Sequence, residues 1–239
     1  MKIGIMQPYF FPYIGYFALI KAVDKFVLYD DVRYIKNGWI NRNRIRIGNN
    51  AHYITVPVTN ASTNYLINEV RILDYVNFKI KLFKTLEMNY KKAPNYVRIV
   101  DLLVDIFYDS FDYINDLNRK ALSKVIEYLA INTEMVISSD IKENKELRGE
   151  ARVIDICRVL NGDVYINPIG GRGLYSEGNF QSESICLKFI KMNDIVYEQG
   201  KSAFIPNLSI IDVLMWNSKE DVKNMLNNYV LIDGEKGGS

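Results

Sequence analysis

Residues 2–29, KIGIMQPYFFPYIGYFALIKAVDKFVLY, decide the fold class because they contain a complete strand, loop, helix and strand. The apolar runs at 2–6 and 25–29 predict buried strands, and residues 15–23 between them predict a helix. Residues 7–14 form the loop after the first strand. In a parallel sheet, ligands bind at the carboxyl ends of the strands, next to the amino ends of the helices that follow. The stretch therefore predicts a βαβ unit whose loop is a candidate binding site.

The candidate binding residues of this loop are Gln7, Tyr9, Tyr13 and Tyr16. The tetrad Tyr13-Ile14-Gly15-Tyr16 is similar to the His-x-Gly-His motif of the nucleotidyltransferase and pantothenate-synthetase superfamily, with phenols in place of both imidazoles. A phenol donates a hydrogen bond to a phosphate oxygen but is neutral at pH 7. The similarity favours phosphate binding over adenylyl transfer. The alternative is that these aromatic residues form a core cluster.

Working outward, the remaining pattern predicts an α/β protein. The chain has 239 residues, of which 49% are hydrophobic and 24% charged, as in ordinary globular proteins. We predict a Rossmann-like, mostly parallel sheet in a single α/β domain over residues 1–233, with a β-hairpin and a helical insertion at about 74–132. Residues 234–239 are predicted to be a disordered tail.

Several individual elements can be placed. The predicted hairpin pairs residues 44–47 with 53–58, and further strands are predicted at 134–137, 163–167, 184–189 and 195–199. One amphipathic helix is predicted from apolar residues at helical spacing, namely Val76, Ile80, Phe83, Leu86 and Tyr90. Ser209 with Asp212, and Ser218 with Asp221, have the spacing of capping boxes.

Composition excludes several classes of function. A net charge of +2 gives no indication of a nucleic-acid-binding face, and no apolar run is long enough to span a bilayer, so we expect a cytoplasmic protein. The chain has one histidine, His52, which argues against a histidine relay or a zinc site of His and Cys. Cys157 and Cys186 lie in apolar contexts and are expected to be buried free thiols.

Polar clusters follow several predicted strands, and parallel strands bring their carboxyl ends to one edge. Asp30 and Asp31, directly after the second strand, are candidate catalytic residues that could bind Mg²⁺ or orient a sugar or an amine. The alternative is an ion-pair network with Arg33, Arg42 or Arg44.

The segment after these acids offers amide and guanidinium donors beside an aromatic side chain, from Lys36, Trp39, Asn41 and Arg42. This composition suits phosphate, carboxylate or sugar recognition, and Arg42 is a candidate catalytic donor. The alternative is a polar loop held together by its own side chains.

Two later clusters complete the candidate site. Gly170, Gly171 and Arg172, followed by Tyr175, can present backbone amides and a guanidinium to an anion, although a tight loop without a ligand explains them equally well. Ser138 and Ser139 end a predicted strand and resemble the serine motif that holds ATP phosphates in the nucleotidyltransferase superfamily.

The segments QPYFFPYIGYF at 7–17, YDDV at 29–32, KAPNY at 92–96, SSD at 138–140, NPIGG at 167–171 and LSIIDVLMWN at 208–217 together resemble the WbqC-like family. The residues that carry the match include Gln7, Tyr9, Tyr16, Asp30, Asp31, Trp39, Asn41, Arg42, Gly170, Gly171, Tyr175, Ser209 and Asp212. The resemblance covers about residues 2–227 and implies a role in O-antigen or capsule biosynthesis. One activity that the resemblance suggests is the transfer of glycine or another aminoacyl group to a sugar amine.

We therefore predict a transferase that forms an amide on a nucleotide-linked amino sugar. Its partners are that substrate and an acyl or aminoacyl donor; Asp30 or Asp31 is the base, and Arg42 or the amides of Gly170 and Gly171 stabilise the oxyanion. One alternative is an ATP-dependent ligase or nucleotidyltransferase of the pantothenate-synthetase type, and another is a non-catalytic nucleotide-sugar-binding protein. The cofactor and the oligomeric state, including a homo-oligomer, stay open.

Overall fold

The central element of the structure, a computed structural model that describes residues 1–59, 62–200 and 203–234, is a six-stranded sheet. Its strands are β1 (Lys2–Met6), β2 (Lys25–Leu28), β5 (Glu134–Ile137), β6 (Val164–Pro168), β7 (Cys186–Met192) and β8 (Tyr229–Asp233), and a separate hairpin contains β3 (Arg42–Ile47) and β4 (Asn50–Thr55). The sheet order is β5-β2-β1-β6-β7-β8, and only β8 runs antiparallel to its neighbour. The predicted fold class, α/β with a mostly parallel sheet, is confirmed.

Eight α-helices are present among the described residues. They are α1 (Ile14–Ala22), α2 (Tyr75–Tyr90), α3 (Tyr96–Ile106), α4 (Ile114–Leu129), α5 (Gly149–Val159), α6 (Glu177–Ser182), α7 (Ile210–Trp216) and α8 (Lys219–Met225). Two buried apolar clusters form from them. The larger includes residues of α1 to α4, α7 and α8, and the smaller includes residues of α5 and α6. Alternating residues of β1 and β2 supply both clusters, as expected for strands covered on both faces.

The order of the strands creates a switch point between β1 and β6. From β1 the chain passes through α1 to β2 on one side, whereas β6 pairs with the other side of β1. Ligands of open α/β sheets bind in the crevice at such a point, beyond the carboxyl ends of the strands. The sheet therefore places Gln7, after β1, beside the segment that follows β6.

Several predicted elements differ from the structure. The hairpin register pairs Arg42 with Thr55 and Ile47 with Asn50, so β4 begins earlier than predicted. Residues 195–199 do not form a strand, because they pair with no neighbour among the described residues; the last partner of β7 is β8, which the sequence did not predict.

Two predictions of burial are also wrong. Val76 and Ile80 are 63% and 59% exposed, and α2 instead buries Phe78 and Leu82 with Leu86 and Tyr90. Helix α2 has more apolar residues than one of its faces can bury. Helical spacing alone therefore predicted burial for two residues that are exposed.

The two cysteines also differ from each other. Cys157 is buried, as predicted, whereas the prediction is wrong for Cys186, which is exposed at the start of β7. Burial raises the pKa of the Cys157 thiol to about 12.

Two other findings concern membrane-spanning helices and the predicted disordered tail. Within the described ranges, no helix combines the length and apolar character needed to cross a membrane. Of the predicted disordered tail, Gly234 donates its amide to the Leu187 carbonyl at 3.1 Å, and residues 235–239 lie outside the described residues.

Candidate functional site

Four of the parallel strands end at one edge of the sheet, and polar residues follow each of them. Ser138 and Ser139 follow β5 in a short 3₁₀ helix, and Asp30 and Asp31 follow β2. Gln7 follows β1, and the 3₁₀ helix Ile169–Leu174 follows β6. We call the group of Asp30, Asp31, Ser138 and Ser139 the carboxylate corner.

Asp30 is the buried centre of the carboxylate corner, with 2% of its surface exposed. Its Oδ2 accepts from Asn115 Nδ2 at 3.1 Å and from Ser139 Oγ at 2.9 Å. Its Oδ1 accepts from the Ser139 amide at 3.0 Å, and Ser138 Oγ lies 3.0 Å from the same oxygen. These donors occupy the acceptor positions of the carboxylate. Asp30 therefore has a structural role, and Mg²⁺ could bind it only by displacing these donors.

Asp31 differs from Asp30 because it is only partly buried and is contacted by Ser138 Oγ alone among the hydrogen-bond donors of the described chain. The Ser138 hydroxyl has one proton, so it donates to either Asp30 or Asp31 at a given moment. No ion pair of the described residues joins either carboxylate to Arg33, Arg42 or Arg44. Asp31 thus keeps free acceptor positions at the edge of the sheet.

Tyr29 is close enough to this carboxylate and to two arginines, one before α5 and one within it, for their charges to affect its pKa. Its pKa is raised to about 12, mainly by burial and next by the negative charge of Asp31, while Arg152 and Arg148 act in the opposite direction. Tyr29 therefore stays protonated at neutral pH and can donate a hydrogen bond near Asp31.

Two exposed cations border the carboxylate corner. Lys145 Nζ donates to the Ser139 carbonyl oxygen at 2.8 Å, and the Arg148 guanidinium donates to the carbonyl oxygens of Lys145 and Leu147. Both side chains are exposed. The corner thus combines one available carboxylate with positive charge suited to phosphate oxygens.

At the switch point, Gln7 Oε1 is buried and has no hydrogen-bond partner among the described residues. Across from β1, Asn167 accepts from the Tyr165 hydroxyl at 3.1 Å, and that hydroxyl lies 3.2 Å from the hydroxyl of Tyr175. Gly171 packs on this row, since a Cβ there would lie 2.1 Å from Asn167 Nδ2. The close approach explains why Gly171 is a glycine.

The aromatic residues of the first loop mainly build structure. Tyr16 is 2% exposed, and its hydroxyl donates to the Gln7 carbonyl oxygen at 2.8 Å. The ring of Tyr9 lies 5.6 Å from that of Tyr16, and burial raises the pKa of both phenols. Tyr13 points elsewhere: its ring covers Gly15, where a Cβ would lie 2.4 Å from Tyr13 Cε2. The core-cluster alternative thus describes Tyr16 best.

Residues 36–44 lie beside the first loop, but their side chains mainly contact the hairpin and their own loop. Asn41 is buried, accepting from the Tyr34 hydroxyl at 2.8 Å and donating to the Val56 carbonyl oxygen at 2.9 Å. Arg42 donates to carbonyl oxygens of its own loop, and its guanidinium lies 4.3 Å from the centre of the Tyr53 ring. Trp39 is 37% exposed and lies beside the same ring. The contacts match the alternative of a loop held by its own side chains.

The structure therefore separates the predicted site residues into groups. Asp30, Asp31, Ser138 and Ser139 contact one another at the carboxyl edge. Gln7 follows β1 on the same edge, and Gly170, Gly171, Arg172 and Tyr175 follow β6 there. Lys36 is exposed in the turn before Trp39 and, like Asn41 and Arg42, belongs to the hairpin region. Tyr9 and Tyr16 lie in the first loop, and Tyr13 faces a cleft on its other side.

Sequence reasoning missed the neighbours of the carboxylate corner, namely Tyr29, Asn115, Lys145 and Arg148. Tyr29 could have been found, because it ends the apolar run that leads into Asp30. Asn115 lies 85 residues away on α4, and no local pattern connects it with Asp30. Within the described ranges, no three residues of the types His, Cys, Asp and Glu are grouped so as to hold a metal ion.

Comparison with known proteins gives a family but no established activity. The model of the WbqC-like protein family matches residues 7–224. The uncharacterized protein Rv1507c of Mycobacterium tuberculosis (strain ATCC 25618 / H37Rv) is 31% identical over 215 residues, which cover 89% of this chain and 92% of that protein. No solved structure matches the chain. Because the family match includes the first loop, the carboxylate corner and α7, the chain belongs to the WbqC-like protein family.

Proposed function

We propose that this protein is a transferase of O-antigen or capsule biosynthesis that forms an amide on the amino group of a nucleotide-linked amino sugar. The observation that carries the proposal is the contrast within the carboxylate corner. Asp30 is buried and accepts hydrogen bonds from Asn115 and from both the hydroxyl and the amide of Ser139, whereas the neighbouring Asp31 is half-buried and has free acceptor positions. A carboxylate at the carboxyl edge of a parallel sheet is well placed to act on a bound ligand.

In the proposed step, Asp31 accepts one proton from the ammonium group of the sugar. The resulting amine attacks the carbonyl carbon of the donor, a C–N bond forms, and the bond between that carbon and the leaving group breaks. The second proton departs with the leaving group. Such a base contributes roughly 10²–10⁴-fold to the rate.

The oxyanion of this step needs donors on the same edge. The amides of Gly170 and Gly171, in the 3₁₀ helix after β6, are better candidates than Arg42, because Arg42 is held by its own loop and by Tyr53. Lys145 and Arg148 are suited to contact the diphosphate of the nucleotide. The hydroxyl and the amide of Ser139 are used by Asp30, which weakens the case for a serine motif that holds ATP phosphates.

The experiment measures amide formation by mass spectrometry with UDP-glucosamine and a panel of coenzyme A thioesters and aminoacyl thioesters. We expect Asp31→Asn to lower kcat by at least about 100-fold. Asp140→Asn is the matched control, since Asp140 is an exposed carboxylate in the same 3₁₀ helix as Ser138 and its side chain forms no hydrogen bond or ion pair with the described residues. It should change kcat by less than twofold.

Two results would overturn the proposal. Asp31→Asn with the wild-type rate would remove the carboxylate from the mechanism. Formation of AMP that depends on ATP, without transfer from a thioester, would indicate a ligase of the pantothenate-synthetase type instead.

A further inference from the structure

A second cleft lies at the far end of the same sheet edge, beside β7. It has a volume of about 400 Å³, which is in the range of small-molecule sites. The amino end of α1, the end of β7 and residues 193–197, 204 and 206–208 line it, and its apolar and aromatic walls come from Tyr13, Met192, Ile195, Tyr197 and Phe204. Because β1 and β6 lie between β2 and β7 in the sheet, the cleft is separate from the carboxylate corner.

Contacts with neighbouring residues hold the aromatic walls of this cleft in place. The Tyr197 hydroxyl donates to Asp212 Oδ1 at 2.7 Å, and the Tyr197 ring meets Phe204 edge to face at 5.3 Å. The Tyr13 ring lies on Gly15 at the start of α1. The cleft therefore presents rings in fixed positions before any ligand binds, which lowers the entropic cost of binding.

Among the described residues that line the cleft, only negative charge is present. Asp194 is the charged residue of its lining, it is exposed, and it forms no ion pair or hydrogen bond within the described chain. No lysine, arginine or histidine of that part lines the cleft. The dipole of α1 favours anions, but it is equivalent to roughly half an elementary charge at the helix end, whereas Asp194 carries a full negative charge.

We propose that this cleft binds a small organic ammonium ion with a compact apolar body. Asp194 accepts hydrogen bonds from the ammonium group, the faces of the aromatic rings attract the cation, and Met192 and Ile195 contact the apolar part. The site is independent of the proposed transfer reaction, since neither Asp31 nor its neighbours line it.

The test is an NMR titration of the full chain with cyclohexylammonium, observing the methyl groups of Met192 and Ile195. Cyclohexanol, which has the same ring without the charge, is the ligand control. We expect the ammonium ion to shift these methyl signals and to bind at least about tenfold more tightly than cyclohexanol. Asp194→Asn should weaken binding by about tenfold or more, and Phe204→Leu should weaken it by a smaller factor.

Glu198→Gln is the matched protein control, because Glu198 is an exposed acid of the same segment that does not line the cleft. It should keep the wild-type affinity within about twofold, and so should Asp31→Asn. Equal binding of cyclohexanol and cyclohexylammonium, or unchanged affinity in Asp194→Asn, would overturn the inference. Loss of binding in Asp31→Asn would show that the ion binds at the carboxylate corner instead. If amide transfer fails but cyclohexylammonium still binds as expected, the proposed function is wrong and the inference about the cleft stands.

Discussion

Two buried carboxylates, Asp30 and Asp212, occupy different regions and illustrate different uses of a buried charge. Asp30, at 2% exposure, accepts hydrogen bonds from α4 and from the 3₁₀ helix after β5, and its neighbour Asp31 reaches solvent. Asp212, at 0% exposure, accepts from the Tyr90 hydroxyl at 2.7 Å and from the Tyr197 hydroxyl at 2.7 Å. The first supports the proposed site, and the second connects α2 and α7 with Tyr197.

The partners of Asp212 are themselves hydrogen-bonded to other buried groups. The Tyr90 hydroxyl also accepts a hydrogen bond from the Arg46 amide of the hairpin at 2.8 Å. The Arg46 guanidinium in turn donates to the Gln199 carbonyl oxygen at 3.0 Å. Burial raises the pKa of the Asp212 carboxyl, an effect that its two phenol donors only partly offset. The comparison teaches that saturation with donors marks a structural acid, and that the functional candidate is the partly satisfied carboxylate beside one.

The largest expected effect on stability is that of Asp30→Asn. An amide there presents two N–H donors to Ser139 and Asn115, which are donors themselves, so buried groups lose their partners. We expect the free energy of unfolding to fall by about 3–4 kcal/mol, measured by urea denaturation. Asp140→Asn, exposed in the same 3₁₀ helix, should change it by less than about 0.5 kcal/mol. A loss below about 1 kcal/mol for Asp30→Asn would refute its structural role.

A smaller loss is expected when the Asp212 network loses one donor. Tyr90→Phe removes the hydrogen bond to Asp212 and the acceptor of the Arg46 amide, without changing the size of the ring. The expected decrease in the free energy of unfolding is about 1–3 kcal/mol. Tyr108→Phe is the control, since Tyr108 is 82% exposed. If both variants unfold at the same urea concentration, the network contributes nothing to stability.

The contrast between the two regions also shows what the sequence could predict. The βαβ unit follows from apolar runs around residues 7–14, because burial on both faces of a parallel strand requires such runs. The position of Asp30 at the strand end was predictable for the same reason. Its donors were not, since Ser138 and Ser139 lie more than 100 residues away in the chain.

Asp212 shows how a local pattern misleads. Ser209 does cap α7, accepting from the Ile211 amide, but the Asp212 carboxylate turns to two tyrosines instead of closing a capping box. Ser218 behaves closer to the prediction and accepts from the Asp221 amide at 3.1 Å. Exposure decides the difference, because the buried Asp212 needs partners from other segments whereas Ser218 and Asp221 lie at the surface.

The raised pKa of Asp212 predicts a pH dependence that is smaller still. A carboxyl whose pKa is higher in the folded state contributes stability that is full below its unfolded value, near 3.8, and is lost as pH rises through the folded value. Asp212→Asn has no such titration. The wild type should therefore lose stability relative to Asp212→Asn as pH rises from 3.5 toward 7, as measured by urea denaturation at each pH. A constant or growing advantage of the wild type would contradict the raised pKa.

The smallest effect is expected at His52, the one imidazole of the chain, which lies outside both regions. It is exposed on β4 and pairs with Ile45 in the hairpin register. His52→Gln keeps a hydrogen-bonding side chain, so the free energy of unfolding should change by less than about 0.5 kcal/mol.

The same variant also tests whether His52, rather than Asp31, is the base in the proposed reaction. The rate of amide formation in His52→Gln should stay within about tenfold of the wild type, which is a barrier change of at most roughly 1.4 kcal/mol. Asp31→Asn should lose far more, since it removes the basic oxygen while preserving the shape of the side chain. Both rates are to be measured on variants with wild-type unfolding curves. Inactive His52→Gln beside active Asp31→Asn would assign proton transfer to the imidazole, and the partly satisfied carboxylate would then have only a structural role, like Asp30 and Asp212.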